Sequence, residues 1–273
     1  MIKEKAFAKI NLTLDVINKR EDGYHNIKSV MSPISLYDEL YFFDDEEIIL
    51  ESECDIADNI ILKAAHLLKE EYNVKKGARI KLIKRIPIAA GLAGGSADCS
   101  ATLRGLNILW NLGLDLDELA KLSARLGSDT IFCMYNRLAY VEGRGEKITF
   151  IASTIESFCL LIKPYFGVST KEIFQNHINN YHGDEDFKNF VYTIDQDNKK
   201  LPLYNNLLET TMNLYPDLKN LYDEVYKLDN SVMMSGSGPT LYILSNDRVH
   251  LNTIYRKFIS HNIVKIVKLG VID

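Results

Sequence analysis

A chain of 273 residues with 47% hydrophobic and 25% charged residues has ordinary globular composition and enough length to bury a full core without a metal or disulfide. Its formal net charge of −5 argues against general binding of nucleic acid or anionic membranes, and leaves room for a small anionic ligand held by local donors. No run approaches the ~20 apolar residues of a membrane span, and the start MIKEKAFAKINL is too charged for a signal peptide.

Residues 10–17 alternate, with Ile10, Leu12, Leu14 and Val16 on one face and Asn11, Thr13 and Asp15 on the other, which predicts a strand. Just ahead of it, Lys9 is bracketed by Ala6, Phe7, Ala8 and Ile10. Most lysines are solvated, but an ammonium in apolar surroundings wants an anionic partner. In REDGYH (20–25), Asp22–Gly23 signals a turn, and Tyr24 and His25 follow at once. Such a pair can stack on a base and bond its edge, or can simply decorate a hairpin tip. Residues 27–50 predict two or three further strands. Residues 58–73 predict a helix capped by Asp58, with Ile61, Ala64, Ala65, Leu68 and Tyr72 at helical spacing. Residues 78–86 predict another strand, ending at Pro87.

PIAAGLAGGSADCSATL (87–103) then reads as strand, glycine-rich turn and helix, the helix running from about Ser96 to Trp110. Glycines allow close backbone approach, and a helix N-terminus presents unpaired N–H groups with positive dipole character. The combination suits a di- or triphosphate. It is neither a Walker A loop nor G-x-G-x-x-G, and a plain packing turn fits it as well. Asp115 or Asp117 can cap a helix through Leu126. Residues 130–149 predict a strand pair broken at Asn136–Arg137, so that Asp129 opens an apolar strand, either satisfying a turn or holding a carboxylate at a cleft mouth.

A composition shift near 152–157 predicts a boundary between domains 1–155 and 156–273. The second half reads strand (158–163), helix from Ser169, a solvated polar segment (182–200), helices (203–214 and 217–228), a strand, the glycine turn MSGSGPT (234–240), strand (240–245), helix (248–260) and strand (263–271). Strands in blocks with helices between them indicate α+β. Ser169 or Thr170 reads by default as a helix cap and Phe174 as core. Gly236, Ser237 and Gly238 form a turn that either joins two strands or closes over a phosphate. Cys54, Cys99, Cys133 and Cys159 are scattered without C-x-x-C spacing and read as reduced thiols of a cytoplasmic protein. The six histidines make no compact ligand set, so no zinc or other protein-held metal site is expected.

Taken in order, AFAKINL, REDGYHNI, DNIILKAAHLL, PIAAGLAGGSAD, LGSDTIFC with VEGRGE, VSTKEIF and MSGSGPTLY resemble the 4-diphosphocytidyl-2-C-methyl-D-erythritol kinases, a family of the GHMP kinase superfamily. The likeness spans about residues 5–245. It implies a two-domain α+β GHMP kinase fold with the active site in the interdomain cleft, and phosphorylation by ATP of the 2-hydroxyl of a cytidine diphosphate-linked methylerythritol in non-mevalonate isoprenoid synthesis. By the resemblance, Lys9 and Asp129 are catalytic at the acceptor hydroxyl. Pro87, Ile88, Ala89, Ala90, Gly91, Leu92, Ala93, Gly94, Gly95, Ser96 and Ala97 hold the ATP phosphates. Asn11, Tyr24, His25, Thr170, Phe174, Gly236, Ser237 and Gly238 bind the substrate, Tyr24, His25 and Phe174 around the cytidine. Mg2+ is expected on phosphates and water, because no magnesium-binding carboxylate stands out. The chain departs from the family where Ala97 replaces a second serine, where Thr130 and Ile131 follow Asp129, and where Asn136–Arg137 replaces a glycine pair. Two other readings stay open: a GHMP kinase of mevalonate or homoserine, or a non-catalytic nucleotide-binding regulator on the same scaffold. No oligomeric state is legible.

Overall fold

The computed structural model describes residues 1–54, 58–152, 155–178 and 202–270. Among them are eleven strands and eight helices, a mixed α+β chain that forms two compact units interleaved along the sequence. The polar segment expected at 182–200 lies outside the described residues.

The first unit comprises residues 1–8, 36–88 and 93–136. It takes the start of β1 (Ile2–Lys19), the second half of β2 (His25–Asp45), β3 (Ile48–Ser52) and β4 (Gly77–Ile83). β4 pairs antiparallel with β2, from Glu39 opposite Ile83 to Asp45 opposite Gly77, and parallel with β3. On this sheet lie α1 (Ile60–Glu71), α2 (Gly94–Leu109), α3 (Leu116–Ser123) and α4 (Thr130–Tyr135). α1 buries Ile61, Ala64, Ala65 and Leu68, four of the five predicted stripe residues, while Tyr72 is its exposed C-cap; the two large aliphatics contribute about 1.5–3 kcal/mol each. Its cap is Asn59, whose Oδ1 accepts from the Ile61 N–H at 2.9 Å, rather than Asp58. Asp115, not Asp117, caps α3, in a reciprocal capping box with Glu118.

Residues 130–135 overturn the predicted strand pair, since the first member is the helix α4. All but Ile131 and Tyr135 are buried, so the segment shows no periodicity that could separate helix from strand. Thr130 anchors it by donating its hydroxyl to the Ser123 and Gly127 carbonyls, each at 2.7 Å. Asn136 ends it in the left-handed region (φ 50°, ψ 45°), a conformation that Asn tolerates.

The second unit comprises residues 9–35, 89–92 and 137–273. Here the hydrogen-bonded order is β8–β1–β2–β5–β6, with β5 (Ala139–Gly143), β6 (Lys147–Phe150) and the short β8 (Tyr204–Asn205). The two or three strands expected over 27–50 are the single long β2 followed by β3. A second sheet runs β11–β7–β10–β9, from β7 (Phe158–Pro164), β9 (Met233–Met234), β10 (Leu241–Ser245) and β11 (Asn262–Lys268). The remaining helices are α5 (Thr170–Asn176), α6 (Leu208–Leu214), α7 (Pro216–Tyr226) and α8 (Arg248–Phe258). Both faces of β1 are covered. The apolar set Ile10, Leu12, Leu14 and Val16 and the polar set Asn11, Thr13 and Asp15 are all buried. A buried polar face must be hydrogen-bonded throughout, and its satisfaction builds much of the site.

Candidate active site

In the second unit, Lys9 is only 3% exposed, and its Nζ donates to Asn11 Oδ1 at 2.6 Å. Asn11 Nδ2 donates to Ser29 Oγ at 2.8 Å, and Ser29 Oγ donates onward to the Thr13 carbonyl at 2.5 Å. This relay orients the Asn11 amide, so that its oxygen faces the ammonium. The Lys9 backbone N–H donates to the Leu92 carbonyl at 3.1 Å, which ties β1 to the middle of the first glycine loop.

The same stretch of loop is fastened to the second glycine turn. Ser235 Oγ donates to the Gly91 carbonyl at 2.9 Å, and Thr240 Oγ1 to the Ala90 carbonyl at 2.6 Å. Gly91 has φ +72°, and a Cβ there would stand 2.3 Å from the Ser235 carbonyl oxygen. Glycine is therefore required twice over, for conformation and for space. Gly236 (φ +58°) lies so close that its Cβ would be 3.5 Å from both Lys9 Nζ and Asn11 Oδ1. Asn205 braces this turn from β8, donating Nδ2 to the Met234 and Gly236 carbonyls at 2.8 and 2.7 Å. Tyr242 donates its hydroxyl to the Asn11 carbonyl at 2.8 Å. The structure thus gathers Lys9, Asn11, Gly91 and Gly236 at one point.

Ser169 caps α5, as the default reading held, accepting from the Glu172 N–H. Thr170 then pairs its hydroxyl with that of Ser237 at 2.8 Å. One turn on, Phe174 meets the His25 ring with centroids 5.3 Å apart and planes tilted by 35°. Phe174 is thus an aromatic partner of His25 rather than plain core. Burial, then the positive charge of Lys19, lowers the His25 pKa, so the ring is neutral near pH 7. Tyr24 is 52% exposed, with the Arg144 guanidinium 5.1 Å from its ring centroid.

In the first unit, α2 begins at Gly94, two residues before the Ser96 start read from the sequence. Its N-cap, Ala93, is left-handed (φ 56°, ψ 30°) and supplies no side-chain cap. No side chain caps the first-turn amides of this 16-residue helix, and such uncapped amides can receive an anion. Asp129 stands at the N-terminus of α4, its backbone carbonyl accepting from the Cys133 N–H, with its side chain not used as a cap. Pro87 and Ile88 lead into the loop, and Ile88 is exposed. Ala97 is buried.

Sequence reasoning missed Lys84, Asp38 and Asp98 beneath the loop, and Asn205 and Tyr242 behind the second turn. The available signals were an aspartate inside each of two apolar segments, at 38 and 98, and a lysine directly before the loop. Among the described residues, no group of three or more His, Cys, Asp and Glu side chains could hold a metal ion, and no helix is long and apolar enough to cross a membrane.

Residues 59–137 match the GHMP kinases N terminal domain and residues 194–264 the GHMP kinases C terminal domain. Together with the uncapped glycine-loop helix, this defines the chain as a GHMP-type kinase. A 4-diphosphocytidyl-2-C-methyl-D-erythritol kinase of Bacillus cereus (strain B4264) is 43% identical over 92% of this chain and 90% of its own length. The enzyme of that name from Geobacillus sp. (strain WCH70) is 44% identical over the same shares. A crystal structure of 4-(cytidine 5'-diphospho)-2C-methyl-D-erythritol kinase superposes with a TM-score of 0.85 at 28% identity, over 99% of this chain and 100% of that one. The chain belongs to the 4-diphosphocytidyl-2-C-methyl-D-erythritol kinase family.

Proposed function

We propose that this protein transfers the γ-phosphoryl group of ATP to the 2-hydroxyl of 4-diphosphocytidyl-2-C-methyl-D-erythritol, a step of non-mevalonate isoprenoid precursor synthesis. The observation that carries the reading is the pairing of a buried Lys9–Asn11 couple with a neutral His25–Phe174 ring pair in one compact unit. The first suits a reacting alcohol and the second a nucleobase. Neither mevalonate nor homoserine carries a base for the ring pair.

Phosphoryl transfer asks the protein for alignment and charge stabilisation more than for covalent chemistry. In the proposed reaction the 2-oxygen forms a bond to the γ-phosphorus as the bond to the β,γ-bridging oxygen breaks. ADP leaves with the bond's electron pair, and the hydroxyl proton passes to the Asp129 carboxylate. The Lys9 ammonium, held by Asn11, offsets charge developing on the transferred group. Amides of Gly94, Gly95 and Ser96 at the α2 N-terminus receive phosphate oxygens, with Pro87 to Ala97 as the cradle. Tyr24, His25 and Phe174 recognise the cytidine. Thr170, Gly236, Ser237 and Gly238 line the substrate beside Asn11.

A magnesium ion carried on the triphosphate and water would neutralise phosphate charge when bound. Residues 1–155 are assigned as the ATP-binding domain, which also carries Lys9, Asn11, Tyr24, His25 and Asp129, and 156–273 as the C-terminal domain, which adds Thr170, Phe174 and the second glycine turn. A cytoplasmic location accords with four free cysteines. The test is ADP release with a panel of alcohols. Turnover with the cytidylyl substrate and none with mevalonate or homoserine is expected; preference for either of the latter refutes the assignment.

A further inference from the structure

Lys84 leaves β4 immediately before the first glycine loop, and its side chain, 9% exposed, turns inward. Its Nζ donates to Asp38 Oδ2 at 2.6 Å and to Asp98 Oδ2 at 2.5 Å. Asp38 lies on β2, and its other oxygen accepts the Arg85 and Ile86 backbone N–H groups at 2.5 and 2.8 Å. That carboxylate therefore fixes the backbone entering the loop. Asp98 lies on α2 one turn after the amides that would meet phosphate, and fixes the helix leaving the loop. A Cβ built on Gly94 would stand 3.1 Å from Lys84 Nζ, so the ammonium lies directly against the first residue of that helix. Asp98 Oδ1 is buried with no hydrogen-bond partner.

We infer that Lys84, Asp38 and Asp98 form a buried positioning clamp that grips the phosphate loop from both ends and sets the KM for ATP. All three belong to the first unit, and the Asp98 side chain is no capping group, so the geometry is not that of an ordinary helix cap. The clamp rests on the ATP-dependent reading above and deepens it, since none of these residues belongs to the site read from the sequence.

The charges give the clamp a pH signature. Burial pushes the Asp98 carboxyl up to about 7; Lys84 pulls it back, and the charge of Asp38 adds to the rise. The other ionisable groups nearby are silent. Burial, then the Asp98 charge, pushes the Cys99 thiol up to about 12, and Glu39 is engaged by Lys3 and Arg85. One ammonium between two carboxylates is neutral while Asp98 keeps its proton. Once that proton leaves, a net negative charge lies under the site of an anionic ligand. ATP binding therefore weakens as pH climbs through 7.

The experiment compares wild type, Asp98→Asn and Asp98→Leu by steady-state kinetics from pH 6 to 8.5, with ATP affinity measured by calorimetry. Asp98→Asn keeps an acceptor for Lys84, so its KM for ATP is expected within threefold of wild type at pH 7 and free of the wild-type rise across neutrality. Asp98→Leu releases α2 from Lys84; its KM for ATP is expected to rise at least tenfold, with kcat within threefold and KM for the alcohol unchanged. A folded Asp98→Leu enzyme with wild-type KM for ATP overturns the clamp, as does an Asp98→Asn profile that keeps the wild-type pH dependence. If wild type binds ATP without phosphorylating the cytidylyl alcohol, the substrate assignment falls, and a tenfold loss of ATP affinity in Asp98→Leu still supports the clamp. Failure of wild type to bind ATP overturns both.

Discussion

Replacing Gly91 by alanine tests how the two glycine segments are joined. The new Cβ would meet the Ser235 carbonyl oxygen at 2.3 Å and the Gly238 carbonyl oxygen at 2.8 Å, both main-chain atoms that cannot swing aside. Holding an L-residue at φ +72° costs about 1–2 kcal/mol. Pushing the segment off the turn breaks the hydrogen bonds from Ser235 and Thr240, at about 1 kcal/mol each. The total is about 3–4 kcal/mol, and at roughly 2–4 °C per kcal/mol the melting temperature falls by about 10 °C. Gly113→Ala supplies the control. Gly113 has φ +70° with nothing within 4 Å of its Cβ position, so only the conformational cost applies, a shift of roughly 2–8 °C. Calorimetric melting of both variants, with kcat for Gly91→Ala, is the assay. Because Gly236 abuts Lys9 and Asn11, kcat is expected to fall at least tenfold. Equal melting shifts for the two variants, with unchanged kcat in Gly91→Ala, would refute the close approach.

Other consequences are open to simple tests. Asp129→Asn should bind ATP within twofold of wild type by calorimetry while losing about 10²–10⁴ of turnover, the usual worth of a positioned acid–base group; unchanged turnover removes Asp129 from the chemistry. Base stacking contributes about 1–3 kcal/mol, so His25→Ala should raise KM for the cytidylyl substrate roughly 5–150-fold. Burial lowers the His25 pKa, so the wild-type value is expected to hold steady above neutrality and rise only under acid conditions, where the ring gains charge; measurement from pH 5.5 to 8 decides. Cys99, Cys133 and Cys159 are buried, with the thiols of Cys99 and Cys159 pushed up by burial, whereas Cys54 is partly accessible. Titration with a disulfide reagent at pH 8 should therefore find one reactive thiol in the native protein and four after unfolding.

The sequence exposed those features whose physics is local. The stripe of α1, the capping of α5 by Ser169, the alternation of β1 and the glycine loop all follow from spacing and turn chemistry within a few residues. Features set by tertiary burial were hidden. α4 looked like a strand because its residues are buried almost all round, and only the anchoring of Thr130 to Ser123 and Gly127 reveals a helix. The burial of Asn11, Thr13 and Asp15 was not legible, because nothing in residues 10–17 tells of Ser29 and Asn206, which satisfy two of them from distant parts of the chain. Lys84 drew no notice, since its partners stand 46 residues before and 14 residues after it. Individual residues stood out as candidates where their identity is chemically unusual, as for a lysine among apolar neighbours or a Tyr–His pair after a turn. The side chains that hold them in place were not.

The most direct measurement is of the product itself. Incubating the protein with ATP, magnesium and 4-diphosphocytidyl-2-C-methyl-D-erythritol and following phosphorus and carbon resonances should show the diphosphate pair retained and one new phosphomonoester coupled to C2, formed in step with ADP. A phosphate on any other hydroxyl, or ATP left intact beside untouched substrate, would contradict the account.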